Sequence, residues 1–437
     1  MGLALSLLQG GIFLAYIVFT AVKAILPRSF KVPRVGHTSI AITVLAAAHL
    51  LGLPVLLDKL DKAHAFGQLK GVDLSGGCSD DHLHSCQAAQ LVYRASSVLF
   101  LYFILMATAG GAMHYLYANL WPLKFLGVAA SFGGVLFLPD PALFGVYAEV
   151  ARVLSLVWML FQSFLVLDFA HDVHDVIGAK ADEQDAVSGS SSIFSSWWRI
   201  LYLVLSATCL GAAGVGLAVI FTGHVGCTLG AVLAGITLSV GVLTMVLSLL
   251  EGVGIGLLPP SILFAYSTFL CWYALSSHPD STCNPWSMDD VYSARGKTVG
   301  SIISMCLLLA TVALCTWRGE KVLDLFGVEE ENVSLLSGGG AVVNGDGEEE
   351  DADAETESRP SRVFYCAMMA CASAFAAMAM TAWARTDGSP ESFGPLVTPL
   401  ESVWLKVVGQ WACLLLQMRI LWVTYRDQRE SSDYRSF

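Results

Sequence analysis

The stretch LVLDFAHDVHD, Leu165 to Asp175, places three aspartates and two histidines at the end of a long apolar run. Carboxylates and imidazoles this close together can pass protons, hold a cation or meet a polar headgroup. At ~100° per residue, Asp168, His171, Asp172 and Asp175 fall within about 100° of arc on a helix, and His174 points elsewhere. They form one acidic face. Acids at a helix C-terminus oppose the macrodipole by about 0.3–1 kcal/mol each when exposed. A cation should therefore lie opposite, and Arg199, Lys124, a loop lysine or a bound ion are the options. The face reads in three ways: a wetted interfacial surface, a site for a headgroup or proton, or a metal site. One helix alone supplies few ligands for the last.

Upstream, the same run holds Glu149, Arg152 and Gln162. From Leu143 to Val176 it contains neither Pro nor Gly after Gly145. A helix of that length runs about 50 Å, against a hydrocarbon core of about 30 Å, so it must lean or project. Glu149 and Arg152, three apart, can pair along one face. Glu149, Arg152, Gln162, Asp168, His171 and Asp172 make a candidate track for a lipid headgroup or an ion. Elsewhere, Arg94 is expected to start a span and meet water or lipid phosphate. Lys124 and Arg419 are expected to snorkel to interfaces.

The elements that position these groups must live in lipid. The chain is 55% hydrophobic and 14% charged, where soluble domains are about a quarter charged. Apolar segments recur at 3–22, 38–57, 93–113, 122–138, 143–170, 198–222, 228–249, 258–276, 298–317, 362–383 and 402–424. The basic connection 23–37, with Lys23, Arg28, Lys31 and Arg34, is expected in the cytosol. Alternation over ten spans then leaves the tail, with Arg426, Arg429 and Arg435, on the same side. The domain reading is an N-terminal apolar segment and basic connection (1–37), a membrane domain (38–318 and 362–427), an intervening acidic loop (319–361) and a cytosolic tail (428–437). The start MGLALS also fits the N-myristoylation pattern.

The net charge of −12 is local, because 11 acids and no Lys or Arg lie between Glu329 and Glu357. That loop is expected to be disordered, either a docking segment or a solvated linker. No basic surface suggests nucleic acid. Cys78, Cys86, Cys227 and Cys283 fall at the outer loops and suit disulfides. Cys78–Cys86 with Cys227–Cys283 is the favoured pattern among three pairings. The other cysteines are expected to be inert packing thiols. Small residues at Gly226, Gly230 and Ala234, and at Gly252 and Gly256, allow close helix contact.

Catalytic motifs are missing. Gly296-Lys297-Thr298 lacks the Walker glycine, since Val291 stands there, and no HExxH, GxSxG or CxxC occurs. The expectation is a protein that is not an enzyme and carries no cofactor.

In order along the chain, several short motifs resemble the Serinc (serine incorporator) family. They are Val92-Tyr93-Arg94; Asn119, Trp121 and Lys124; Leu138-Pro139-Asp140; Gln162 with Asp168-Phe169-Ala170-His171; and Leu270 to Pro285. Thr381-x-Trp383, Val403-Trp404-x-Lys406, Trp411-x-Cys413 and Arg426-Asp427 complete the set. The chain departs from the family after His171, at Tyr425, and in lacking a cysteine-rich N-terminus. The resemblance implies an all-α membrane protein of about ten transmembrane helices, in two bundles divided by a long tilted helix. It implies ATP-independent phospholipid scrambling, or support of serine incorporation into phosphatidylserine and sphingolipids. A serine carrier and a scaffold for lipid-synthesis enzymes are the alternatives. Expected partners are phospholipids and sphingolipids, with room for lipid-synthesis enzymes and a homo-oligomer. The expected location is a secretory-pathway membrane: ER, Golgi, endosome or plasma membrane.

Overall fold

The computed structural model describes residues 83–112, 121–138, 141–188, 197–223, 227–249, 256–278, 280, 283, 290–317, 359–381, 383 and 400–435. The segments 3–22 and 38–57, the acidic loop 319–358 and the myristoylation pattern lie outside the described residues. Among the described residues there are nine helices and no strand: α1 (Leu83–Ala112), α2 (Trp121–Val135), α3 (Pro141–Ser188), α4 (Trp197–Gly223), α5 (Thr228–Ser248), α6 (Leu258–Leu275), α7 (Asp290–Trp317), α8 (Arg359–Met380) and α9 (Leu400–Arg435). Seven of them are long and apolar enough to cross a membrane, and α2 and α7 carry shorter apolar stretches. Every apolar segment read from the sequence within these residues corresponds to a helix.

The helices sort into two bundles. In the first, α8 packs most extensively on α1, with α7 on α8 and α2 on α1. Its core holds Tyr93, Trp158, Phe161, Met305, Met369 and Phe375. Alanines fill α8 from Ala370 to Ala379, and their small side chains let α1 approach closely. In the second bundle α6 is central, packed by α4, α5 and α9. Leu217, Leu233, Phe264 and Val407 meet in its core. The divider is α3, which contacts α1, α7 and α8 on one side and α4, α6 and α9 on the other.

α3 is a continuous helix of 48 residues, about 70 Å at ~1.5 Å per residue. It runs beyond the expected end at Val176. Gly178 does not stop it, because the Ala179–Gln184 stretch that follows is rich in helix formers, and one internal glycine costs only about 1 kcal/mol. α9 likewise continues through the expected tail to Arg435.

Two joints fix the second bundle. Cys227 and Cys283 form a disulfide, one of the two favoured pairs; Cys78 lies outside the described residues. At the other end Gly256 takes a left-handed φ of 79° just before α6. It lies just outside a helix, and its lack of a side chain admits the close approach of residues from α3 and α4. A Cβ there would sit 2.6 Å from both His174 Cε1 and Tyr202 Oη. The Tyr202 hydroxyl accepts hydrogen bonds from the backbone N–H of Leu257 (2.8 Å) and Leu258 (2.9 Å), serving as the N-terminal cap of α6. Pro259 and Pro260 follow in the first turn, where a missing N–H leaves no helical bond unmade.

Gly256→Ala should destabilise the protein by about 1–3 kcal/mol through the close contact and the φ, read as a lower unfolding midpoint in detergent. Cys227→Ser and Cys283→Ser should each cost about 2–4 kcal/mol, with the double variant no worse than either single one, because both remove the same crosslink.

Candidate functional site

The six track positions sit on α3 but not on one stripe. At ~100° per residue they spread around the whole helix. Glu149 and Arg152 pair as expected, Arg152 Nη1 donating to Glu149 Oε1 at 2.6 Å. Their exposures differ sharply: the Glu149 side chain is 53% exposed and that of Arg152 only 3%. Gln162 is buried as well, whereas Asp168, His171 and Asp172 are half-buried and Asp175 is exposed. Glu149 and Asp168 are separated by about 28 Å along the axis, close to the thickness of a hydrocarbon core, about 30 Å. The two acids thus stand about one hydrocarbon thickness apart along the rod. Between them, the exposed side chains of α3 are Val150, Val153 and Val157, and the polar groups of that stretch turn into protein.

At the Asp168 end, His174 does point away from the acidic face, and its ring lies 5.5 Å from that of Tyr202. Arg199 pairs with Asp185, farther along α3. Lys180 lies over the Trp198 ring at 4.3 Å, a cation–π contact that helps hold the projecting end of α3 against α4. Among the described residues no three of His, Cys, Asp and Glu converge to hold a metal ion.

Arg94 overturns its expectation. It is 1% exposed and faces neither water nor lipid. Its Nη1 donates to the Leu136 carbonyl at 3.0 Å, just past the end of α2. There a cation satisfies a terminal carbonyl and complements the helix dipole. The Phe144 ring lies 5.0 Å from its guanidinium carbon. Lys124 is half-buried and Arg419 is exposed. The cysteines of the spans form no disulfide among the described residues, with Cys271, Cys315, Cys366, Cys371 and Cys413 buried and Cys209 and Cys306 half-buried.

A second polar centre, at the Glu149 end, received no role from the sequence. Lys406 on α9 is completely buried. Its Nζ donates to Ser277 Oγ and sits 3.9 Å from the Tyr273 ring centroid and 5.0 Å from that of Trp383. Trp383 Nε1 donates to the Tyr273 hydroxyl at 3.1 Å. Two residues earlier, Thr381 Oγ1 and the Tyr93 hydroxyl share a hydrogen bond of 3.0 Å. The turn after α8 therefore clasps α1 of the first bundle to α6 and α9 of the second. Trp383 adopts a φ of 65°, a strained conformation for a large side chain. Its N–H closes the helix end on the Met378 carbonyl at 3.0 Å. A lysine inside the apolar run 402–424 was the available signal; two of its partners, Ser277 and Tyr273, lie more than a hundred residues away.

Lower on α9, Gln410 Nε2 donates to Thr237 Oγ1, and seven residues on Gln417 Nε2 donates to Thr244 Oγ1 at 2.9 Å. Both hydroxyls also donate to carbonyls of their own helix. This seven-residue register locks α9 against α5, as expected for polar groups that must find partners in lipid.

With this geometry, the comparisons with known proteins decide the family. The Serine incorporator (Serinc) family model matches residues 15–424. The chain belongs to the Serinc family. It is 25% identical over 318 residues to serine incorporator 2 of Bos taurus, covering 68% of each chain. It is 24% identical over 393 residues to serine incorporator 3 of Mus musculus, covering 80% of this chain and 81% of that one. A probable serine incorporator of Dictyostelium discoideum is 25% identical over 334 residues, 73% of this chain and 76% of the relative. The chain is thus an integral membrane protein of this family, and the motifs read from Tyr93 to Lys406 contribute both polar centres.

Tyr273→Phe should cost about 1–3 kcal/mol by leaving the buried Trp383 indole N–H without its acceptor. Trp383→Phe in the same background should add little of that loss, which a double-variant cycle of unfolding midpoints would read.

Proposed function

We propose that this Serinc-family protein moves phospholipids between leaflets without nucleotide hydrolysis and so supports the incorporation of serine into phosphatidylserine and sphingolipids. The observation that carries this reading is α3. It is an unbroken wall shared by two bundles, with open acids at both ends of a membrane crossing and buried polar groups between them. A helix lying between two packed bodies gives a seam along which they can part. Charged groups at each end offer a headgroup a landing point, and buried polar groups on the way lower its cost of entering hydrocarbon.

The names of the relatives favour a second reading, a carrier for serine, in which the Glu149–Arg152 pair opens to bind the zwitterion. Both readings make lipid or its building block the partner and need no cofactor. The disulfide Cys227–Cys283 supports residence in an oxidising compartment and hence in the secretory pathway.

Purified protein reconstituted into vesicles containing a fluorescent phospholipid should speed exchange between leaflets in the absence of nucleotide. The readout is the fraction of probe reached by an external quencher. Exchange no faster than in protein-free vesicles sinks the scrambling reading, and saturable serine uptake by the same vesicles would establish the carrier.

A further inference from the structure

Between Glu149 and Asp168, three side chains of α3 carry buried N–H groups with no hydrogen-bond partner among the described residues. They are Nε and Nη2 of Arg152, Nε1 of Trp158 and Nε2 of Gln162. None of the three residues is more than 2% exposed. At ~100° and ~1.5 Å per residue they fall within about 120° of arc and along about 15 Å of the helix. All of these unmatched groups are donors. A donor left unmet in the interior is costly, and a bilayer supplies no water to relieve it.

The arrangement at Arg152 is more specific. Glu149 is held by Nη1. The two remaining nitrogens, Nε and Nη2, form one edge of the guanidinium. That edge presents two parallel N–H groups and grips two oxygens of an oxyanion at once. A water offers one oxygen and brings donors of its own. A phosphate offers several acceptors and a negative charge. Trp158 and Gln162 add neutral donors deeper in the membrane, where the same oxygens would be met next.

We propose that Arg152, Trp158 and Gln162 form a row of donors that receives the phosphate of a phospholipid from the Glu149 end and holds it part-way across the bilayer. This rests on the phospholipid reading of the function and names the residues that would act. The present packing is the closed state of the row, and occupation requires the helices against this face of α3 to move apart.

The test pairs affinity with stability. Trp158→Phe and Gln162→Met each delete the N–H and keep most of the volume. Full-length protein in detergent is titrated by calorimetry with a short-chain phosphatidylserine, with the matching short-chain diacylglycerol and with inorganic phosphate. The phospholipid should bind and the diacylglycerol should not. Each variant should weaken phospholipid binding by about 3- to 10-fold, the loss of one hydrogen bond. Each should also raise the unfolding midpoint without lipid, because an unmet donor has gone. A purely structural role predicts the opposite sign for the midpoint. Unchanged affinity in both variants, a lowered midpoint, or equal binding of diacylglycerol overturns the proposal. Inorganic phosphate binding as tightly as the lipid overturns its lipid part. If wild-type protein exchanges lipid between leaflets while both variants bind normally, this row is wrong and the function stands. If the row binds as expected but no exchange occurs, the function fails alone.

Discussion

An α-helix satisfies its own backbone in lipid only while it stays unbroken, and α3 stays unbroken for 48 residues. The rest of the molecule depends on that continuity. A rod of about 70 Å cannot stand upright in a hydrocarbon layer of about 30 Å. It must run obliquely, project, or both, and every helix that packs on it inherits its direction. α1, α7 and α8 take one side and α4, α6 and α9 the other. A break near its middle would leave two bundles with no shared wall.

Given that wall, the polar residues divide by what they can reach. Arg94 finds the end of α2, Lys406 finds a hydroxyl and two aromatic faces, and Gln410 and Gln417 find threonines on α5. Each of these groups is buried with at least one partner on another element, so they fix which helices meet. Glu149, Asp168, His171 and Asp172 remain open or half-open. Arg152 and Gln162 belong to neither class, being buried while holding unmatched donors. Polar groups buried in a membrane interior are candidates for function, which is why the proposed function is placed on α3 and not on the clasp around Trp383.

Much of this was legible in the sequence because lipid imposes a simple rule on apolar length. The helices from α1 to α9 were visible as apolar runs, the rod as a stretch without Pro or Gly, and the Glu149–Arg152 pair as a three-residue spacing. What was not legible depends on distant partners. The charge on Arg94 suggested an interface, but its fate was decided by Leu136 and Phe144, which belong to other elements. Lys406 could be noticed as a lysine in an apolar run, yet only folding brings Ser277, Tyr273 and Trp383 around it. The ends of α3 and α9 were underestimated for another reason: once a helix leaves lipid, nothing apolar marks its continuation. The six track positions looked connected in sequence, and the helical rotation between them distributes them around the rod.

The Cys227–Cys283 bond has a mechanical corollary. It joins the entry to α5 with the stretch that follows α6, so these helices are bolted together at their Glu149 ends. At the far ends the chain itself joins them through residues 249–257, the Tyr202 cap holds α6 to α4, and the Arg199–Asp185 pair holds α4 to α3. The second bundle therefore contains a covalent ring, closed by the backbone at one end of α5 and α6 and by the disulfide at the other. A reductant reaching the disulfide would open that ring without touching a single residue of α3.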